Sequence, residues 1–104
     1  MRIGKVIGNV TLSRVHETLV GGTLKLVVPL TLAELTAETT PQGESLVVWD
    51  DLGAGVGEMV CFSEGGEAVQ PFKPNVKPVD AYLAAILDNV NLDRELIEGM
   101  TNDQ

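Results

Sequence analysis

The chain has 104 residues and a mass of 11.1 kDa, which predicts one small domain. A net charge of −8 and a pI of about 4.4 argue against nucleic acids and anionic membrane surfaces as partners, because both are bound through basic residues. The hydrophobic share of 44% is high for a small monomer, so we expect apolar surface to remain for self-association.

The sequence also predicts neither a transmembrane helix nor a signal peptide. No apolar run approaches the length of a transmembrane helix, and the first residues lack the apolar core of a signal peptide. Cys61 is the single cysteine and has no intrachain disulfide partner. A cytoplasmic location is therefore the expectation.

The first part of the chain predicts two strands. Residues 3–13 read as a long strand, within which Gly4 and Gly8 indicate a bend or a closely approaching neighbour. Residues 23–30 read as the second strand. Pro29 lacks a backbone donor, which places it at a strand end or a sheet edge.

The middle of the chain predicts an insertion and a third strand. Thr31–Gly43 is rich in turn and loop residues, although Leu32, Leu35 and the alanines suit a helical turn. Residues 46–49 read as a strand that is apolar on both faces. Such a strand in a small domain implies burial against another element or another subunit.

The pattern after the third strand is more mixed. Residues 58–63 predict a fourth strand, and residues 69–78, with three prolines, predict an extended and irregular segment. Asp80 suits the N-cap of a brief helical turn over residues 81–84. Residues 85–92 alternate like a fifth strand, with a helix through Leu87 as the competing interpretation.

The end of the chain predicts a short helix over residues 93–99, closed by glycine, and then a frayed tail. We therefore divide the chain into a β-barrel domain, residues 1–92, and a C-terminal helix with its tail, residues 93–104. About five short strands with glycine turns predict an all-β fold, a small closed or partly open barrel.

Residues with catalytic or metal-binding chemistry are few. His16 lies in a polar connection, and Cys61 lies in an apolar strand without a neighbouring basic residue, so neither predicts a reactive site. Carboxylates at Asp50, Asp51, Glu64 and Glu67 flank turns, where they cap backbone donors or face solvent. The sequence predicts no enzyme, no metal and no cofactor.

A single-strand-binding barrel would need a basic groove and stacking aromatic residues. The chain has only four aromatic residues, and Trp49 and Phe62 lie on strands predicted to form the core. Packing in the core or at an interface is the simpler interpretation of these side chains. A small barrel that binds a ligand or a peptide remains the alternative function.

Three glycines on alternate positions, Gly53, Gly55 and Gly57, form the most distinctive local pattern. A dinucleotide-binding loop needs a longer G-x-G-x-x-G spacing that opens a helix, and a P-loop needs Gly-Lys-Ser/Thr. Here the glycines precede strand-forming residues. The pattern predicts a turn that leads into a strand, and the glycines serve either that turn or a contact between subunits.

The chain resembles the pentameric vertex proteins of bacterial microcompartment shells, the EutN/CcmL family. Residues 51–60, Asp-Leu-Gly-Ala-Gly-Val-Gly-Glu-Met-Val, are similar to the family pattern D-x-V-G-A-G-x-G-E-x-V almost position for position. Residues 1–10 and 22–28 resemble its first two strands. Residues 78–81 and 86–90 resemble its P-V-D-A-A and I-V-D-x-V segments.

The resemblance implies a five-stranded OB-like β-barrel with short helical turns, assembled as a homopentamer among hexameric shell proteins. It implies a subunit interface or assembly loop at Gly53, Ala54, Gly55, Gly57 and Trp49. A pentagon at each corner supplies the curvature that a flat hexagonal layer lacks. The expected role is structural, and Thr31–Gly43 is longer than the resemblance predicts, which makes it a candidate contact with a neighbouring shell tile.

One departure concerns the loop after the fourth strand. The family carries a G-S-x-A-R-type loop near the ring axis, whereas this chain reads Gly65-Gly66-Glu67-Ala-Val-Gln without the arginine. Five copies of Gly65, Gly66 and Glu67 would then line an acidic pore. A solvated turn glutamate is the equally simple alternative.

Overall fold

The fold is a closed barrel of five strands. The computed structural model describes residues 1–14, 17–37, 40–73, 79–93, 95–97 and 99. The strands in chain order are β1 Arg2–Val10, β2 Leu24–Pro29, β3 Leu46–Trp49, β4 Met59–Glu64 and β5 Ala81–Leu87. Their order around the barrel is β1-β2-β3-β5-β4, and this confirms the predicted all-β barrel.

Most neighbouring strands are antiparallel, and the exception closes the barrel. β3 runs parallel to β5 through a single pair, Trp49 opposite Tyr82. β1 is the strand that bends: its first residues pair with β4, and its later residues pair with β2. A register shift between Val6 and Gly8 marks the bend that the glycines predicted.

Gly4 marks a close approach between strands. A Cβ at this position would lie 2.9 Å from the Val28 carbonyl oxygen and 2.9 Å from the Phe62 ring, so no larger residue fits without a shift. Pro29 is the last residue of β2, as predicted. The missing side chain at Gly4 therefore lets β1 approach Val28 and Phe62 closely.

The core fills the barrel with aliphatic side chains and one aromatic ring. Phe62 is the largest fully buried side chain, and its place in the core was predicted from the sequence. The remaining members of the buried cluster are Val6, Val27, Val48, Ala54, Val60, Ala81 and Leu83. Ala54 belongs to no strand, so the connection that carries it also reaches the barrel interior.

The helix α1, Leu32–Ala37, begins inside the predicted insertion. Thr31 Oγ1 accepts a hydrogen bond from Glu34 N at 3.1 Å, and Glu34 Oε1 accepts one from Thr31 N at 3.0 Å. This reciprocal pair is a capping box. Glu34 Oε2 also accepts from Gln42 N at 2.7 Å, which ties the following loop to the helix.

Two predictions for the second half of the chain were wrong. Asp80 does not cap a helical turn, and the fifth strand spans Ala81–Leu87 rather than residues 85–92. Helix-favouring alanine and leucine adopt the strand because it pairs with β4 from Glu64 to Met59. Tertiary pairing therefore overrides local propensity here.

Residues 69–78 were predicted to be extended and irregular, but residues 69–72 belong to a 3-10 helix, Gly65–Phe72, that includes Pro71. The fixed φ of proline is compatible with helical backbone near the end of such an element. A shorter 3-10 helix spans Glu17–Leu19. Near the C-terminus, residues 95–97 are helical and Asp93 Oδ1 caps Leu96 N at 3.0 Å. The predicted tail, His16 and residues 74–78 lie outside the described residues.

Candidate functional site

The connection between β3 and β4 is the candidate functional site, and we call residues 50–58 the glycine turn. It leaves β3 beside Tyr82 and returns at Met59, which lies at the opposite end of β4. Asp50 N donates to Thr23 O at 2.8 Å, and Gly57 N donates to Val6 O at 2.8 Å. The turn therefore runs from one end of the barrel to the other. Its first residue is bonded to Thr23, just before β2, and Gly57 is bonded to β1.

Asp50 organises the first half of the glycine turn. Its side chain is only 2% exposed, and no other charged or polar residue is buried among the described residues. Its carboxylate accepts hydrogen bonds from Leu52 N at 2.8 Å, Gly53 N at 2.9 Å and Ala54 N at 2.7 Å. Three backbone donors that would otherwise lack partners are thus satisfied by one side chain.

Glu58 performs the matching role in the second half. Glu58 Oε1 accepts a hydrogen bond from Gly55 N at 2.6 Å, and Glu58 N donates to Gly55 O at 3.1 Å. Val6 N donates to Glu58 O at 3.0 Å, which extends the pairing of β1 with β4 into the turn. The two carboxylates fix the backbone of the turn from both ends.

The glycines have different roles within the subunit. Gly53 and Gly57 have φ values of 80° and 93°, in the left-handed region that disfavours side chains. Gly55 is not in that region, and a Cβ there would lie 3.1 Å from Glu58 Oε1. Two glycines are therefore required by the shape of the turn, whereas Gly55 leaves room for the capping carboxylate.

The outer face of the glycine turn is apolar and accessible. Leu52 and Val56 are both exposed, and so are Gly53, Gly55 and Gly57 between and beside them. A Cβ added to Gly53 or Gly57 would meet nothing within 4 Å. We call Leu52, Val56 and these glycines the turn face. It combines a stiff backbone with two large aliphatic side chains in solvent, which suits a protein contact.

Trp49 is buried and is not part of this face. The indole is buried, and its Nε1 donates to Asp51 Oδ1 at 2.7 Å. Tyr82 OH donates to Asp51 Oδ2 at 3.1 Å, and Phe72 packs edge-on against both rings, with centroid distances of 5.2 and 5.3 Å. Asp51 therefore joins β3 to β5 where only one residue pair closes the barrel.

The same cluster changes the acidity of Tyr82. Burial raises the pKa of the phenol above its ordinary value of 10.0, and the hydrogen bond and negative charge of Asp51 raise it further. Sequence reasoning missed this bridge, because nothing in the local pattern connects two residues that lie 31 positions apart.

The second predicted set, Gly65, Gly66 and Glu67, lies at the start of the 3-10 helix and is exposed. Gly65 has a φ of 64°, and its N–H donates to Asp80 O at 2.7 Å. These residues follow the Glu64 end of β4, whereas the glycine turn leads into the Met59 end. Residues 65–67 therefore lie at the end of β4 opposite to the one that the glycine turn enters, whereas Trp49, which pairs with Tyr82, lies at their end.

Other chemical groups are sparse in the described part of the chain. Its His, Cys, Asp and Glu side chains form no group of three or more that could hold a metal ion. Cys61 is a free, half-buried thiol on β4. None of the described helices has the length and apolar character needed to cross a membrane.

Solved structures with the same barrel define the class of protein. The GrpN pentameric microcompartment shell protein from Rhodospirillum rubrum superposes with a TM-score of 0.73 at 36% identity, covering 89% of this chain and 100% of that chain. CcmL from Gloeobacter violaceus superposes with a TM-score of 0.77 at 34% identity, covering 89% and 91%. The fold is that of microcompartment shell proteins.

Sequence relatives identify the family. The shell vertex protein GrpN of Rhodospirillum rubrum is 39% identical over 90 residues, covering 86% of this chain and 96% of GrpN. The carboxysome shell vertex protein CcmL of Gloeobacter violaceus is 38% identical over 93 residues, covering 89% of this chain and 88% of CcmL. The profile of the family described as "Ethanolamine utilisation protein EutN/carboxysome" matches residues 1–88. The chain belongs to this EutN/CcmL family, which confirms the resemblance seen in its sequence.

Proposed function

We propose that this chain is a structural protein of a bacterial microcompartment shell, in which five copies form a ring at each vertex. The observation that carries the proposal is the match of the whole barrel to a pentameric shell protein, which this chain covers over its full length. The part of the shell that surrounds the ring is a layer of hexameric proteins. A pentagon replaces a hexagon wherever that layer must curve.

The glycine turn is the proposed subunit contact. A ring closes through a heterologous interface, in which one surface of each subunit meets a different surface of the next. Gly53, Gly55 and Gly57 lie on the exposed turn face and allow close approach of a neighbour. Ala54 and Trp49, which are buried, support that face from within the subunit.

The proposed role needs no enzymatic chemistry. The two buried or capping carboxylates of the glycine turn, Asp50 and Glu58, are engaged with backbone N–H groups. The Asp51 carboxylate and the Tyr82 hydroxyl that donates to it lie in a packed aromatic cluster rather than in an open cleft. These groups hold the shape of the barrel, and the proposed partners are copies of this chain and other shell proteins.

The exposed start of the second 3-10 helix is the proposed lining of the ring opening. Gly65, Gly66 and Glu67 are all exposed, while the adjacent Ala68 is fully buried and anchors the helix to the barrel. Five glutamates around one axis would repel each other and favour cations in the opening. A pentamer structure in which Glu67 lies far from the five-fold axis would overturn this assignment.

The vertex role is tested by reconstitution with hexameric shell proteins. Hexamers alone are expected to form flat sheets or open tubes, and addition of this chain is expected to give closed shells in electron micrographs. Open assemblies in both samples would contradict the vertex role. That outcome would favour the alternative of a small barrel that binds a ligand or a peptide.

Gly55→Val tests the turn within this role. Its Cβ would lie 3.1 Å from Glu58 Oε1, so the Glu58 cap must shift, but it meets no core side chain, and the barrel should remain folded while the added bulk blocks the neighbour. Native mass spectrometry should show loss of the pentamer, and circular dichroism should show a barrel that is still folded. A fully retained pentamer would remove Gly55 from the interface.

A further inference from the structure

The 3-10 helix Gly65–Phe72 is fastened to the start of β5 at both of its ends. At the first end, Gly65 N donates to Asp80 O at 2.7 Å, one residue before β5 begins. At the other end, the Phe72 ring packs edge-on against Tyr82, the second residue of β5, with a centroid distance of 5.3 Å. A displacement of this helix therefore acts on the start of β5.

The start of β5 is also the place where the barrel closes. β4 pairs with β5 along its whole length, whereas β3 meets β5 through the single pair of Trp49 and Tyr82. Side chains reinforce this seam. Asp51 accepts hydrogen bonds from Trp49 Nε1 at 2.7 Å and from Tyr82 OH at 3.1 Å, and the Phe72 ring also packs against the Trp49 ring at 5.2 Å.

Asp51 belongs to the glycine turn and follows Asp50 directly. Asp50 fixes the internal shape of the turn, because its carboxylate holds the amides of Leu52, Gly53 and Ala54. Asp51 instead fixes the turn to the aromatic rings. Its carboxylate is exposed, so water can replace either donor, and the bridge lasts only while the rings keep their positions.

We propose that Trp49, Asp51, Phe72 and Tyr82 form a latch that couples the 3-10 helix to the glycine turn, with Phe72 as a positioning residue. When the end of the helix moves away from the rings, Tyr82 releases Asp51 and the first half of the turn loosens. The latch is a continuous chain of packed and hydrogen-bonded side chains, which is the kind of path that carries coupling within a protein.

The coupled segments are the two to which the proposed ring assigns roles. The helix carries the residues proposed to line the opening, and the turn carries the proposed subunit contact. A change at the opening would thereby reach the subunit contact. This meaning of the latch rests on the proposed function, whereas the latch itself is a property of a single chain.

Phe72→Leu tests the latch, because it removes both ring contacts and keeps an apolar side chain of similar size. Local opening is measured by the amide hydrogen exchange of single residues in NMR spectra. The three amides held by Asp50 should exchange about tenfold faster, since two aromatic pairs are lost. The Gly65 amide should also exchange faster, because its acceptor lies beside the loosened start of β5.

Tyr82→Phe separates the two steps of the latch. It keeps the ring against Phe72 and removes only the hydroxyl that donates to Asp51. The amides held by Asp50 should again exchange faster, whereas the Gly65 amide should keep the rate of the unmodified chain.

Val28→Ala is the matched control for a general loss of stability. Val28 is buried on β2, at the other end of that strand from Leu24, the partner of Trp49. Urea denaturation measures the loss of stability in each variant. Where the losses are equal, the amides held by Asp50 should exchange faster in Phe72→Leu than in Val28→Ala.

Assembly must be the same in all the chains that are compared, since a neighbouring subunit would itself protect the turn. Each substitution is therefore made in the Gly55→Val background, in which the ring is expected to be lost. Native mass spectrometry of each sample checks that the compared chains have the same assembly state.

The possible failures have separate meanings. Unchanged exchange at the amides held by Asp50 in a folded Phe72→Leu variant would contradict the latch and leave the proposed ring standing. Exchange equal to that of Val28→Ala at equal stability would contradict it as well. If Phe72→Leu does not fold, unchanged exchange in Tyr82→Phe overturns the step through Asp51. An unmodified chain that is monomeric would overturn the proposed ring and leave the latch intact.

Discussion

Trp49 lies across Gly22 so closely that a single methyl group would not fit between them. A Cβ at Gly22 would fall 2.5 Å from Cζ3 of the indole and closer still to Cη2. Asp51 and Phe72 hold the same ring from other sides. The position of Trp49, at the single pair that closes the barrel, thus depends on the absence of a side chain at residue 22.

Gly22→Ala should destabilise the barrel. The indole is large and held by several partners, so it must move, and overpacking of this kind costs about 1–3 kcal/mol. Urea denaturation followed by the fluorescence of Trp49, the single tryptophan, measures the change. Gly66→Ala is the control, because its Cβ meets nothing within 4 Å. Equal midpoints for the two variants would contradict the packing of Trp49 on Gly22.

Asp50→Ala should also destabilise the barrel, through the glycine turn. The N–H of Ala54 would lose its acceptor in the core, and a buried donor without a partner costs about 1–3 kcal/mol. Asp80→Ala, which removes an exposed carboxylate, is the control. The same denaturation measurement applies, and a loss no greater than that of the control would show that the carboxylate does not support the turn.

Tyr82 should titrate above the ordinary tyrosine range in the folded protein. Because its folded pKa is raised above 10.0, its contribution to stability is present below that pH and is lost as the pH rises through the folded pKa. Tyr82 is the single tyrosine, so tyrosinate absorbance in the near ultraviolet reports it directly.

Asp51→Asn separates the two causes of this shift. Removal of the negative charge should lower the pKa of Tyr82 toward 10.0, while the part caused by burial remains. Glu34→Gln should leave the titration unchanged, because Glu34 bonds instead to the backbone of Thr31 and Gln42. An unaltered Tyr82 titration in Asp51→Asn would contradict the Asp51 bridge.

The stability of the start of α1 should depend on the protonation of Glu34. The hydrogen bonds from Thr31 N and Gln42 N lower its pKa below the ordinary 4.5. The stability that ionised Glu34 contributes to the folded chain is therefore present above pH 4.5 and is lost as the pH falls through the folded pKa. Glu34→Gln should melt lower than the unmodified chain near neutral pH, and the gap should narrow in acid. Glu44→Gln, in the same connection, should show no such gap.

Much of the barrel was predictable from local patterns. β3 was predicted with the bounds that the structure has, and β2 and β4 were predicted to within about a residue at each end. The helix at α1 was recognised only as a possible turn, although Thr31 and Glu34 have the spacing of a capping box. That signal was present in the sequence and could have fixed the start of the helix.

The failures have a common physical cause. Between Tyr82 and Ile86, Ala81–Leu87 contains only alanine and leucine, which also suit a helix, and its β conformation comes from pairing with β4, a partner distant in sequence. The bridge from Trp49 through Asp51 to Tyr82 is likewise a product of the closed barrel. Local periodicity carries no information about either.

The candidate site shows the same division. The carboxylates beside the turns were predicted either to cap backbone donors or to face solvent, and Asp50 takes the first of these roles. The burial of that carboxylate and the exposure of Leu52 and Val56 depend on how the turn crosses the barrel. The interface residues and the acidic pore at Glu67 stay predictions.

The mass of the assembled protein in solution tests the central claim most directly. Native mass spectrometry of the unmodified chain should give a dominant species with five times the 11.1 kDa chain mass. A stable species of a single chain at the same protein concentration would contradict the ring on which this account depends.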